Sequence, residues 1–310
     1  MTAPSPHNSR LTAALAAVYL IWGCSFLFTK IGVTNLPGAL FSGLRFMAAG
    51  IGLALLARYW RGDAWPRRWR DWRDIGVMGL FTVVLSTGLN VWSLKYISSG
   101  ESALLNSTAA LWIAVFGSLG ARGHPLNRLA WAGLALGVVG TAMTLSPRLT
   151  VNAGVAVPYL IALLACLSWS IATMYYRHVD TRVGALMFIG LQMLSGGVVQ
   201  FLIGLGFGQW SQWHFNLPGM IALAYLSIFS SGLAYTAYGW LTRNTSPAII
   251  GTYSYVNPAI AAFVGWLFLR ESLLPIQIGG MLVVLVGVAL VTSSGATPRN
   301  DKGLEEPSTP

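Results

Sequence analysis

"RYWRGDAWPRRWRDWRD", residues 58–74, carries six arginines and four tryptophans in seventeen positions. Alone, that mixture suits a nucleic-acid surface, where bases stack on aromatic rings and phosphates meet cations. Its flanks decide otherwise. The twenty residues "GALFSGLRFMAAGIGLALLA" (38–57) hold one charge, Arg45, and the twenty of "IGVMGLFTVVLSTGLNVWSL" (75–94) hold none. A basic run between two such stretches is a connection between membrane spans, and its tryptophans, Trp60, Trp65, Trp69 and Trp72, suit the headgroup zone. No nucleic-acid partner is expected.

The rest of the chain agrees. Hydrophobic residues make up 55% of 310 and charged ones 9%, with a mean hydropathy of +0.63. A soluble domain of this length would have almost nothing from which to build a charged surface. The net charge of +10 is a sum over short loop fragments. A bilayer core of ~30 Å takes about 20 apolar residues per helix. Ten stretches meet that requirement, near 11–30, 37–57, 75–95, 102–121, 128–146, 154–176, 184–207, 218–241, 247–269 and 273–293. Pro37, Pro158, Pro218, Pro247 and Pro275 stand at or near their starts, where a missing N–H does no harm. The alternating ten-residue strands of a membrane barrel are not seen. The predicted fold is an all-α integral membrane protein of ten helices, between polar tails at 1–10 and 294–310.

Cytoplasmic loops collect Lys and Arg. With the 58–74 connection inside, fourteen bases fall on the inner side and four (Lys30, Lys95, Arg148 and Arg270) on the outer. Both termini are then cytoplasmic, in a cell (inner) membrane.

The chain also resembles itself. A shift of 147 positions lays Trp22 on Trp169, Phe41 on Phe188, Gly43 on Gly190, Gly50 on Gly197, Gly133 on Gly280 and Gly140 on Gly287. The same shift carries the first five segments onto the last five, dividing the chain at 11–150 and 151–293. Because five is odd, the two halves must insert with opposite orientation. Inverted repeats hold a transporter's substrate near the midplane between the halves.

"IWGCSFLFTK" (21–30), "LRFMAAG" (44–50) and "YVNPAIAAFVGWLFLRESLLPIQIGGMLVVLVGVALV" (255–291) resemble the drug/metabolite transporter superfamily, and more narrowly its ten-helix EamA type of metabolite and amino-acid exporters. The resemblance covers nearly the whole chain, and the element with Pro258 and the Arg270–Glu271 turn is its most specific part. It implies two five-helix bundles around a central cavity, with the fifth and tenth helices peripheral. The first half departs from the pattern, with Leu111 in place of the proline and His124 in place of the glutamate.

Candidate site residues follow from depth and spacing. Thr82, Ser86 and Asn90 fall four apart, as one polar stripe on an apolar helix; they line a cavity or make interhelical hydrogen bonds. Trp22 and Trp169 sit near mid-membrane, where interfacial anchoring does not explain them; they pack in the core or line a cavity. Trp112, Tyr235 and Tyr253 are similarly deep, and their N–H or O–H groups need partners. Asn257 precedes Pro258, which interrupts a helix and frees a carbonyl one turn back. Asn257 is either the local repair or a substrate contact, and the second is favoured because broken helices often mark sites in transporters. The expected substrate-binding set is Trp22, Ser86, Asn90, Trp112, Trp169, Tyr235, Tyr253 and Asn257. Lys30, Arg45, Pro258 and Glu271 are gating or structural candidates; Arg45 is an intramembrane charge, which is either functional or a snorkelling, backbone-bonded group. Small faces at 133–137 and at Gly279, Gly280 and Gly287 pack helices within a monomer, or alternatively make a dimer.

Several absences complete the reading. No Asp, Glu or His lies deep in a segment, and Glu101 and Glu271 stand at segment ends. There is no GxxxxGK[ST] phosphate loop, no metal-ligand spacing, and Cys24 and Cys166 lie in separate segments. No cofactor and no metal are expected, and no nucleophile–base pair suggests an enzyme. The expected function is alternating-access export of small amphipathic metabolites, amino acids first among them, as a uniport. The alternatives are a proton-coupled exporter of drugs or aromatic cations and, further off, a membrane-embedded enzyme or scaffold.

Overall fold

A computed structural model describes residues 6–118, 126–149, 156–245, 253–271 and 274–294. Among them no strand forms. Helix α1 spans Pro6–Asn35 and α2 Gly38–Tyr59. Helix α3 runs from Trp69 to Ser93 through a π-helical stretch, Leu80–Thr87. Helix α4 comes in two pieces, Ser99–Ser107 and Ala109–Ser118. Then follow α5 (Arg128–Leu149), α6 (Ala156–His178) and α7 (Ala185–Gly206). Helix α8 joins Leu217–Tyr225, a π-helical stretch Leu226–Ala234, and Tyr235–Asn244. Helices α9 (Tyr253–Leu269) and α10 (Pro275–Ser294) close the chain.

Six of these helices are long and apolar enough to cross a membrane: Ser9–Asn35, Gly38–Tyr59, Trp69–Ser93, Ala156–His178, Ala185–Gly206 and Leu217–Thr242. Arg128–Thr144, Val256–Leu269 and Pro275–Val291 are shorter apolar helices. Leu20, Leu160, Leu233, Phe263 and Leu282, on five different helices, are each more than half exposed. So wide an apolar exterior has no stable contact with water.

Local chemistry sets the helix ends. Pro37 precedes α2, Pro218 sits in the first turn of α8 and Pro275 opens α10; Pro247 and His124 lie outside the described residues. The described part of the first helix reaches back to Pro6, so residues 6–10 are helical where a polar tail was expected. The stretch 58–74 divides, because α3 already starts at Trp69. Its acids allow this. Asp71 and Asp74 are buried and tied to the end of α6 and the loop after it: Tyr175 donates to Asp74 at 2.7 Å and Thr181 to Asp71 at 2.8 Å, while Arg73 pairs with Asp74 at 2.7 Å. In α4 the Ser107 and Thr108 hydroxyls bond back to the carbonyls of Leu104 and Leu105, both at 2.6 Å. Such back-bonding bends helices, and the regular ladder stops there.

Glycines set the closest crossings. A Cβ on Gly50 would lie 2.7 Å from the Gly190 carbonyl oxygen, and one on Gly197 3.1 Å from that of Gly43. Thus 50 meets 190 and 43 meets 197, so α2 and α7 cross antiparallel. In the same way a Cβ on Gly133 would meet the Gly287 oxygen at 2.5 Å, and one on Gly140 that of Gly280 at 2.6 Å, so α5 and α10 also cross antiparallel. A side chain at any of these positions would force the backbones apart. Besides these pairs, α1 packs against α8 and α9, and α6 against α3 and α4. Shifting every helix number by five turns α1–α8 into α6–α3 and α1–α9 into α6–α4, and leaves α2–α7 and α5–α10 as they are.

Candidate functional site

A cavity of ≈ 120 Å³ lies where α1, α2, α3, α4, α6, α8 and α9 meet. For scale, an apolar cavity of ~150 Å³ accepts benzene. Seven of the eight residues expected to bind substrate line it: Trp22, Ser86, Asn90, Trp169, Tyr235, Tyr253 and Asn257.

The indoles of Trp22 and Trp169 meet edge to face, with ring centroids 5.7 Å apart and planes at 81°. They are mates under the 147-residue shift, so the two halves touch here through equivalent side chains. Tyr235 lies 6.1 Å from Trp22 and 5.6 Å from Trp169, and Tyr253 5.7 Å from Trp22. Tyr238 completes the cluster, 5.0 Å from Trp22 and 5.7 Å from Tyr253. Such edge-to-face contacts each add about 0.5–1.5 kcal/mol beyond burial. The Trp22 Nε1–H donates to the Ser230 carbonyl at 3.2 Å, inside the π-helical stretch of α8.

Polar groups share the lining with these rings. Asn90 accepts from the Ser102 hydroxyl at 2.7 Å, which joins α3 to α4, and within α4 Asn106 donates to the Ser102 carbonyl at 2.9 Å. Asn257 is buried, and its Oδ1 has no hydrogen-bond partner among the described residues. Pro258 follows it inside α9, and its ring nitrogen cannot bond to the Ser254 carbonyl. Arg45 also reaches the cavity. No Asp, Glu or His stands among the lining residues described.

Trp112 departs from expectation. It follows the break at Thr108, where the Leu111 N–H bonds three residues back to the Thr108 carbonyl at 3.0 Å. Its ring is 36% exposed and stacks on Phe116 at 6.3 Å, away from the cavity. Thr82 faces a smaller space beside Gln192 and Tyr235, and its hydroxyl is taken up by the Met78 carbonyl at 2.6 Å.

The other charged candidates serve helix ends. The Lys30 ammonium donates to the carbonyls of Leu94 and Ile97 at 2.6 and 2.8 Å, just past α3, where unpaired carbonyls and the helix dipole favour a cation. Glu271 accepts from the Ser99 N–H at 2.9 and 3.1 Å and from its hydroxyl at 2.5 Å, at the first turn of α4. Glu101 accepts from the Ser98 N–H at 2.8 Å, Tyr159 at 2.6 Å and Gln277 at 2.5 Å. Neither carboxylate lines the cavity.

Ser25, Phe26 and Thr29 line the cavity without having been singled out. They lie three, four and seven positions after Trp22, one helical face legible in the sequence. Asn106 is the 147-residue mate of Tyr253 and was equally legible. Thr87 and Ser230 were not: Thr87, beside Ser86 in one π-helical stretch, falls off the four-residue spacing that picked out Ser86, and Ser230 lies in the other stretch, where a wider turn shifts which residues share a face. Among the described residues no group of His, Cys, Asp or Glu could hold a metal, and Cys24 and Cys166 are unbridged.

Comparison with known proteins gives the family. Escherichia coli YedA, described as an uncharacterized inner membrane transporter, is 32% identical over 91% of this chain and 90% of its own. Bacillus subtilis YvbV, described as an uncharacterized transporter, is 24% identical over 96% and 97% of the two chains. A protein crystal structure with 22% identity superposes with a TM-score of 0.67, covering 93% of this chain and 99% of its own; that likeness concerns the fold alone. The model of the EamA-like transporter family matches residues 11–146 and 156–293. With apolar helices of spanning length, a family match over both halves and relatives described as transporters, this chain is a multi-pass membrane transporter that belongs to the EamA-like transporter family.

Proposed function

We propose that the protein exports small amphipathic metabolites, amino acids first among them, by alternating access between two inverted five-helix repeats. The observation that carries this reading is the cavity, where an aromatic cluster built on Trp22 and Trp169 faces hydroxyl and amide groups. Aromatic faces take an apolar body and the few convergent polar groups orient a head. Asn257 Oδ1, buried without a partner among the described residues, offers an acceptor to a donor such as an amine. The antiparallel crossings of α2 with α7 and of α5 with α10 support the inverted repeat, since equivalent helices of oppositely inserted halves must run in opposite directions. Ten spans, cytoplasmic termini and an inner-membrane location belong to the same proposal, on the strength of the fourteen-to-four distribution of bases and the relative's description.

The transport step is a uniport. Proton coupling needs a titratable group reached from each side in turn, and among the described residues no Asp, Glu or His lines the cavity. Glu101 and Glu271 are occupied in holding α4. The protein in liposomes, supplied with L-phenylalanine, tests the reading. Equilibration across the bilayer, unchanged by an imposed pH gradient, is the expected result. Accumulation above equilibrium that a protonophore abolishes would overturn it.

A further inference from the structure

Arg45 is 8% exposed, sits on α2 and lines the cavity. Its Nε donates to Ser231 Oγ at 2.9 Å and its Nη2 to Ser230 Oγ at 3.0 Å, and its guanidinium carbon lies 4.7 Å above the centre of the Phe46 ring. These contacts orient the group without neutralising it. A guanidinium has five N–H donors, so the serines occupy only part of the fork. Among the described residues the Arg73–Asp74 pair is the one salt bridge and no carboxylate lines the cavity. A charge held out of water without a counter-ion is costly.

The fold itself does not require that charge. Under the 147-residue shift, Arg45 falls on Gln192, as 45 + 147 = 192. Both positions lie within the glycine-paired crossing of α2 and α7, with Gly43 and Gly50 flanking one and Gly190 and Gly197 the other. Gln192 is buried and its amide donates to Tyr235 at 3.0 Å. A neutral side chain therefore suffices at the equivalent place in the second half.

We infer that Arg45 is the counter-charge for a carboxylate on the transported solute. The solute's carboxylate takes the free side of the guanidinium fork, and its apolar body lies against the cluster of Trp22, Trp169, Tyr235 and Tyr253. This rests on the cavity being the transport site, and it narrows the substrate class to amphipathic carboxylates, zwitterionic amino acids included. Serine hydroxyls suit the task, because they hold the guanidinium in place without competing for its charge.

Binding to the purified protein in detergent, read by quenching of tryptophan fluorescence, tests it without requiring transport. Two pairs of probes suffice: L-phenylalanine with L-phenylalaninamide, and 3-phenylpropionate with 3-phenylpropionamide. In each pair the acid should bind the wild type at least about tenfold more tightly, equivalent to about 1.4 kcal/mol. Arg45→Gln, which copies the second half, should bring the ratio close to one, and Arg45→Lys should keep part of it. Equal binding of acid and amide by the wild type would overturn the inference, as would no binding by any probe or a preference that survives Arg45→Gln. If the Gln variant does not fold, the wild-type ratios and the Lys variant decide. Flux measurements separate the two ideas. Amides carried through liposomes as fast as acids would refute the role of Arg45 and leave the transporter reading intact. Acid-selective binding with no flux of any probe would keep the carboxylate contact at Arg45 but refute the cavity as the transport site, and with it the proposed substrate class.

Discussion

Replacing Glu271 by glutamine separates a structural carboxylate from a proton carrier. In the structure this side chain accepts three contacts from Ser99, two from its N–H and one from its hydroxyl, at the start of a helix whose first N–H groups have no backbone partner. Glutamine keeps one acceptor oxygen and loses the charge. Hydrogen bonds to a charged group contribute ~1.5–3 kcal/mol against ~0.5–1.5 for neutral ones, so two donors lose about 2 kcal/mol between them. The helix dipole adds about 0.3–1 kcal/mol. Partial exposure of Glu271 trims the sum, and a destabilisation of about 2 kcal/mol is expected. Alanine should cost about 3 kcal/mol, because Ser99 is fully buried and its N–H and hydroxyl would be left unpaired. Reversible denaturation in mixed micelles, followed by tryptophan fluorescence, gives these numbers. A double-mutant cycle with Ser99→Ala should show about 1–2 kcal/mol of coupling. Transport by the folded Gln variant should keep its wild-type response to a pH gradient. A variant as stable as wild type to within ~0.5 kcal/mol, or one that loses a pH-driven flux, would refute the assignment of Glu271 to the cap of α4.

Gly140→Val should lower stability by about 1–3 kcal/mol through overpacking, since a Cβ there would lie 2.6 Å from the Gly280 oxygen and 2.7 Å from the Val284 nitrogen; thermal unfolding in detergent measures it, and an unchanged midpoint would count against the crossing. Trp169→Phe keeps a ring in the aromatic cluster but gives up part of its contacts, so solute affinity should fall by about 1 kcal/mol with little change in folded yield; a variant that merely fails to fold would make Trp169 a packing residue. Cysteines at the exposed positions Ala64 and Ser211 test the topology with an impermeant thiol reagent on intact cells. Labelling is expected at Ser211→Cys alone, and labelling at Ala64→Cys alone would reverse the orientation.

The class of the molecule was legible in composition, because a bilayer imposes its length and polarity on every span. The recurrence of Trp and Gly positions at one offset was also legible, and most of the deep aromatic and amide candidates share a cavity. That much follows from local rules of depth and spacing. The break at Thr108, which turns Trp112 outward, comes from two hydroxyls bonding backward and leaves no periodic trace. The π-helical stretches that bring Thr87 and Ser230 to the cavity alter the very period from which a helical face is read. The acids at 71, 74, 101 and 271 look like loop charges in the sequence, and only through-space partners such as Tyr175, Thr181, Tyr159 and Ser99 turn them into helix anchors. Arg45 is the sharpest case. The sequence places a charge inside a span, but whether that charge is already neutralised depends on what α8 brings to it across 185 positions, and α8 brings hydroxyls.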